Sequence, residues 1–277
     1  MSGLIERALT AIVFVVVMLG GLFYNKYSFL GLFGLITLLS LWEFYNLTLK
    51  NASNDFLRKI YATALGIIPF LMAAVYHING NFDALLFLKS HFLIILPFIF
   101  LTFIIELFTN SKAPFNNIGI IFLGLIYIGI PFTLVQFIAI DGVEFQPVII
   151  LGLLLLTWGN DTGAYLIGSV IGKTPLFPRI SPKKTWEGSL GGVAVTFLIA
   201  WLLSIYTKEL TLQNWLVLAG IVSTFGSVGD LIESMLKRSL GVKDSGTIMP
   251  GHGGFLDRFD AFMYMIPFAA TYLLWIG

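Results

Sequence analysis

Long apolar runs alternate with short polar breaks along this chain, and the runs are of bilayer length. About 20 apolar residues cross a membrane as a helix. On that measure nine segments qualify: 8–24, 28–49, 60–77, 91–108, 117–140, 147–171, 188–206, 213–236 and 259–276. The breaks are short apart from 172–187 and 237–258. The expected architecture is all-α: a polytopic integral membrane protein of about nine transmembrane helices with short loops. It is expected to form a single membrane-embedded unit over 1–277, with spans 1–4 in 1–110 and spans 5–9 and the active site in 111–277. The pair Asn160-Asp161 is expected to interrupt the sixth span.

Composition agrees with the pattern. The chain is 57% hydrophobic and 11% charged, with mean hydropathy +0.91, against about 25% charged residues in a soluble domain. The absence of cysteine excludes disulfides, thiolate zinc sites and cysteine nucleophiles. A net charge of +1 gives no reason to expect a nucleic-acid partner. The first run follows Glu6-Arg7 and precedes no small-residue cleavage site, so it reads as a retained transmembrane helix rather than a signal peptide.

The cations set an expected orientation. Of the 16 Lys and Arg residues, only Lys26, Lys89 and Lys208 fall on one side of a nine-span layout; the other thirteen share the side of the N-terminus. By the positive-inside rule the N-terminus and both long polar loops are cytoplasmic and the C-terminus lies outside, in a multi-pass protein of the cell membrane. Setting aside 173–184 and 237–258 leaves five against three, the same direction.

The stretch Asp230–Asp260 is polar in an otherwise apolar chain and holds nine of its 31 Asp, Glu, Lys and Arg residues. An ionisable group at mid-bilayer costs roughly 2.5–3.5 kcal/mol, so such a cluster points to a site. Asp230, Glu233 and Lys237 lie on one helix face. Glu233 and Lys237 read as an i,i+4 pair, while Asp230, a turn deeper, needs a cation. Asp257 and Asp260 admit two readings. One is a helix cap with a dipole partner. The other is a ligand pair for Mg²⁺, which takes one or two carboxylates plus phosphate oxygens. The turn His252-Gly253-Gly254 is either a plain turn or one that opens backbone N–H groups to an anion.

A second constellation joins Asp161 to the segment 181–188. Ser181-Pro182 reads as N-cap and first residue of a helix, and such a terminus with Lys183, Lys184 and Thr185 suits a phosphate. The alternative is an interfacial anchor built on the lysines and Trp186. Asp161, inside a span, requires a polar cavity or a partner. Glu43, Glu106, His77 and His91 sit near span ends and call for no functional explanation.

The spacing Ser234-x2-Lys237-Arg238-x4-Lys243-Asp244-x-Gly246-x3-Pro250-x-His252-Gly253-Gly254-x2-Asp257-Arg258-x-Asp260 resembles the signature of phosphatidate cytidylyltransferases (CDP-diglyceride synthases), with every fixed position filled. Residues 181–188 resemble a second motif of that family, and the multi-span layout agrees throughout. The N-terminal half is similar only in hydropathy and in patches such as Arg7-Ala8-Leu9-Thr10. The resemblance implies transfer of CMP from CTP to phosphatidic acid, giving CDP-diacylglycerol and pyrophosphate, with Mg²⁺ and a second cation for which K⁺ is the candidate. On that reading Asp230, Asp257 and Asp260 hold metal. Lys237, Arg238, Lys243 and Arg258, with the Gly253 and Gly254 N–H groups, neutralise the triphosphate. Lys183 and Lys184 hold the lipid phosphate, and Asp161, Ser181, Thr185, Asp244 and His252 complete the substrate site. A CTP-dependent lipid kinase would use the same parts but release CDP and a lipid phosphate. A secondary transporter would use a span broken at Asn160-Asp161, but the charges gather on one side and the other half has no matching break. A homodimer stays open, since no segment marks an interface.

Overall fold

The computed structural model describes residues 2–49, 55–79, 84–109, 111–142, 144–246, 248 and 253–276. Nine helices form among them: α1 (Ser2–Phe23), α2 (Lys26–Thr48), α3 (Asp55–Asn79), α4 (Ala84–Phe108), α5 (Pro114–Ala139), α6 (Pro147–Ile171), α7 (Trp186–Tyr206), α8 (Leu212–Ser239) and α9 (Leu256–Ile276). Seven of them are long and apolar enough to cross a membrane among the described residues. In α1 and α4 the described apolar stretches are shorter, Leu9–Phe23 and Leu93–Phe108. The expected nine segments are therefore all helical, and seven meet the spanning criterion. Two helices carry a π-helical turn in mid-course, Leu125–Gly129 in α5 and Val222–Gly226 in α8. Four short strands add to the all-α expectation: β1 (Ile140–Asp141), β2 (Glu144–Phe145), β3 (Pro175–Phe177) and β4 (Ser181–Thr185). Large apolar side chains such as Val16, Leu107, Leu190 and Trp275 are exposed, as lipid-facing positions must be.

The chain packs as two compact units. The first comprises 1–136, 142–144 and 244–257; the second comprises 137–141, 145–243 and 258–277. The core of the first is aromatic, with Phe29, Phe33, Phe44, Phe70 and Phe132 fully buried. Polar side chains there close backbone acceptors: Tyr45 Oη–H donates to Ile121 O (2.8 Å) and Gln136 Nε2 to Phe70 O (2.9 Å). Arg58, counted above among the loop cations, is buried. Its Nε pairs with Glu106, which also accepts from Asn117 Nδ2 (3.2 Å). A buried charge tolerates that setting only when paired and hydrogen-bonded, so Arg58 belongs to the core and carries no weight in the orientation argument.

In the second unit, α6 and α7 cross closely because small residues face each other. Gly188 and Gly192 stand one turn apart on α7, the small-xxx-small spacing by which membrane helices approach. A Cβ at Gly192 would lie 2.7 Å from Asn160 O and 2.8 Å from its Oδ1, and a helix backbone cannot swing aside as a side-chain tip can. Overpacking of this kind costs about 1–3 kcal/mol. Gly192→Ala is expected to lower the thermal midpoint in detergent and to reduce activity, because it displaces α6 at the residue before Asp161. A variant with an unchanged midpoint would mean that the crossing is slack.

Candidate active site

α6 is a continuous helix through residues 160 and 161, so the expected interruption of the sixth span is corrected. The helix survives because its polar side chains are satisfied. Asn160 Nδ2 donates to Ser227 Oγ (3.1 Å), and its Oδ1 accepts from Thr196 Oγ1 (3.4 Å). Asp161 opens instead into a cavity of about 510 Å³ within the second unit, lined by Asp161, Tyr165, Lys183, Lys184, Thr185, Ser227 and Asp230 among others. Lys184 Nζ pairs there with Asp230 Oδ2, each side chain about 30% exposed. Asp161 lies within electrostatic reach of Asp230, Lys184 and Arg258. The carboxylate inside a span thus has both things its position demands, a polar cavity and cations.

The lysines reach the cavity on a hairpin. β4 (Ser181–Thr185) pairs antiparallel with β3 (Pro175–Phe177), Pro175 opposite Thr185 and Phe177 opposite Ser181. Ser181-Pro182 is therefore not a helix start, and that expectation is corrected. The cap is Thr185, whose Oγ1 accepts from Gly188 N (3.2 Å) at the head of α7. Both Ser and Thr are good caps, and Glu187 settles the contest. Its carboxylate accepts from Lys173 N (3.1 Å), Thr174 N (3.1 Å) and Thr174 Oγ1 (2.8 Å). These bonds tie the hairpin to the first turn of α7 and leave 181–184 extended. Ser181 does not line the cavity; Lys183, Lys184 and Thr185 do.

Asp230 stands on α8 beside α9. Gly229 permits this approach, since a Cβ there would lie 2.9 Å from Asp260 O and 3.2 Å from Ala261 Cα. Asp260 is half-buried, accepts from Ala261 N (2.6 Å), and lies within electrostatic reach of Asp230 and Glu233. Glu233 is fully buried and pairs with Lys237 Nζ (2.6 Å), the i,i+4 arrangement expected. Arg238 donates to Val242 O (3.3 Å) and so closes the turn after α8, while Lys243 and Arg258 are exposed.

The remaining predicted residues belong to the first unit. Asp244 is exposed there. Gly253 adopts φ +80°, which glycine tolerates and a side chain resists. The Gly254 N–H does not face outward to receive an anion; it donates to Asp257 Oδ2 (2.9 Å). The same oxygen accepts from Ser245 N and Ser245 Oγ, both at 2.8 Å. Asp257 is the second residue of α9, so it organises the segment before the helix rather than standing as its N-cap. His252 lies outside the described residues.

One residue given no role above proves central to that segment. Glu43 is buried at 3% exposure, and its Oε2 accepts from Leu256 N (2.9 Å) and Ser245 Oγ (3.3 Å). The signal available in the sequence was a carboxylate near the end of an apolar span with no Lys or Arg within one turn on its own helix.

Among the described residues no three His, Asp or Glu side chains converge as a metal-binding group. Mg²⁺ needs less from a protein, typically one or two carboxylates completed by substrate phosphate oxygens. Asp230 and Asp260 are hard oxygen donors on adjoining helices and could supply those carboxylates.

The sequence profile of the cytidylyltransferase family matches residues 5–276. The phosphatidate cytidylyltransferase of Staphylococcus saprophyticus is 35% identical over 277 residues, 98% of this chain and 99% of that protein. The enzyme of the same name from Staphylococcus epidermidis is 36% identical over 269 residues, and that from Staphylococcus haemolyticus 34% over 263, each covering 94% of this chain and 95% of its own. With nearly the whole of both chains aligned at this level, the chain belongs to the cytidylyltransferase family.

Proposed function

We propose that this multi-pass membrane protein is a phosphatidate cytidylyltransferase, converting CTP and phosphatidic acid to CDP-diacylglycerol and pyrophosphate. The observation that carries the reading is the cavity in which Lys183 and Lys184 meet Asp161 and Asp230 between membrane-spanning helices. A phosphorylated amphiphile needs such a place, with cations for its head and a bilayer for its tails.

In the reaction a phosphate oxygen of phosphatidic acid attacks the α-phosphorus of CTP. The new P–O bond forms as the bond to the β-phosphate breaks, and pyrophosphate leaves with that electron pair. The second ionisation of a phosphate monoester lies near pH 6, so the nucleophile is largely ionised and no strong base is required. The protein's task is to hold two polyanions in line and stabilise the charge spread over the transferring group. Lys183 and Lys184 reach the cavity on the hairpin and bind the lipid phosphate. Lys243, Arg258 and the segment 244–257 serve the triphosphate. Asp230 and Asp260 would hold Mg²⁺, and Asp257 belongs to the reaction by its place in the same signature. Held there, the ion would supply positive charge against the charge that develops on the transferring group; a second cation such as K⁺ belongs to the same proposal.

Purified protein given CTP, phosphatidic acid and Mg²⁺ should release pyrophosphate and CDP-lipid in equal amounts, and chelation should stop both. Release of CDP with a newly phosphorylated lipid would replace this reading by the lipid-kinase one.

The same reading places the N-terminus, the hairpin and the 237–258 segment in the cytosol and the C-terminus outside. The chain contains no cysteine, so single cysteines at Thr174 and Ser239 are unique labels. An impermeant thiol reagent should modify both from the cytoplasmic side alone. Modification of either from outside would remove access to cytosolic CTP and sink the orientation.

A further inference from the structure

We propose that Glu43 is a positioning residue for the reaction, holding Ser245 and Leu256, and through Ser245 also Asp257, in their working places. The inference deepens the cytidylyltransferase reading and rests on it.

Glu43 lies on α2, 202 residues from Ser245 and 213 from Leu256 in the chain. Its Oε2 accepts the Leu256 N–H, which belongs to the first turn of α9. A first-turn N–H has no acceptor within its own helix, and Leu256 is fully buried, so no water replaces the carboxylate. The second donor to Oε2 is Ser245 Oγ. That hydroxyl also lies 2.8 Å from Asp257 Oδ2, and its single hydrogen serves both carboxylates. One serine therefore couples Glu43 to Asp257. Asp257 in turn holds the Ser245 and Gly254 N–H groups. The chain of contacts runs Glu43, Ser245, Asp257, Gly254, and every member lies in the first unit.

Gly246 records the same constraint. A Cβ there would lie 2.5 Å from Glu43 Oε1 and 2.9 Å from its Cδ, with no other residue among its nearest contacts. The motif glycine is thus explained by a side chain on a helix far away in sequence. Glu43 has no Lys or Arg within one turn on α2, so a local ion pair does not account for it. What it contributes is an oxygen acceptor at a fixed place.

The test reads amide exchange and kinetics together on the full-length protein. In Glu43→Ala the Ser245, Gly254 and Leu256 amides should exchange about tenfold faster or more, the scale set by losing one buried hydrogen bond. For the same variant kcat should fall at least about tenfold. Glu43→Gln keeps an oxygen acceptor and should restore both readouts to within about threefold of wild type. Gly246→Ala, which displaces the same carboxylate, should reproduce Glu43→Ala. The double variant should then be no worse than either single one. If Glu43→Ala does not extract as folded protein, Gly246→Ala and Glu43→Gln carry the comparison. Unchanged exchange in Glu43→Ala, a Glu43→Gln as impaired as Glu43→Ala, or full additivity with Gly246→Ala would each overturn the proposal. A wild-type protein that makes no CDP-diacylglycerol would instead overturn the functional reading, and the exchange data would still decide whether Glu43 holds Ser245 and Leu256 in place.

Discussion

Asp260→Asn and Asp230→Asn should each lower kcat for CDP-diacylglycerol formation by at least about 10²-fold, with extraction and thermal stability close to wild type. The substitution keeps shape and removes charge, so it isolates the electrostatic contribution. A charged metal ligand or a fixed counter-charge at a phosphoryl-transfer site supplies that order of stabilisation to the transition state. Asp230 faces Lys184 in the cavity, and Asp260 lies on the adjoining helix with its Oδ1 on the Ala261 N–H. An amide at either position can keep a hydrogen bond but cannot neutralise a cation. Asp257→Asn separates two roles on one residue. The amide oxygen can still accept from Ser245 and Gly254, so a loss of similar size would come from charge at the reacting centre. Near-wild-type activity of any of these variants at saturating Mg²⁺ would leave that residue as a structural anchor alone.

Lys184→Ala should raise the apparent KM for phosphatidic acid by about tenfold or more, the scale of one charge-assisted hydrogen bond at 1.5–3 kcal/mol, and lower kcat as well. Lys243→Ala should act mainly on the KM for CTP. The division follows from placement. Lys184 comes from the hairpin into the cavity between α6 and α8. Lys243 is exposed on the segment after α8. Loss of Lys184 also removes the cation paired with Asp230 and leaves it, among the described residues, only the Ser234 hydroxyl (3.3 Å), so kcat is expected to fall more for Lys184→Ala than for Lys243→Ala. Steady-state kinetics with each substrate varied at saturating levels of the other decides the matter. A Lys184→Ala that weakens CTP and leaves phosphatidic acid untouched would reverse the assignment.

Hydropathy alone located every helix, because each apolar run is long and the bilayer admits few alternatives to helices for crossing it. The cavity around Asp161 was legible for a related reason: a carboxylate inside a span requires a polar cavity or a partner, and Lys183-Lys184 was the cation pair grouped with it. Local signals misled where two caps competed. Ser181-Pro182 looks as good a helix start as Thr185, and the outcome turned on Glu187 binding backbone N–H groups at Lys173 and Thr174. The unbroken α6 was also hidden, since it depends on Ser227 and Thr196 reaching Asn160 from other helices. Glu43 was missed because its donors lie more than two hundred positions away; nothing in its neighbourhood announces them.

The π-helical turn at Val222–Gly226 changes how α8 must be read along its length. A π turn holds one residue more than an α turn, and one residue advances a helix by roughly 100°. The faces of α8 before and after the turn are therefore out of phase, and a single helical wheel drawn from Leu212 to Ser239 mislabels one half. The early half, with Trp215 and Leu218 buried, keeps its own phase for packing. The later half, carrying Ser227 and Asp230, is indexed afresh, so the direction in which Asp230 points is offset by a fixed angle from the lipid-facing stripe upstream. A one-residue deletion inside 222–226 would remove that offset and rotate the half that carries Asp230 as a block.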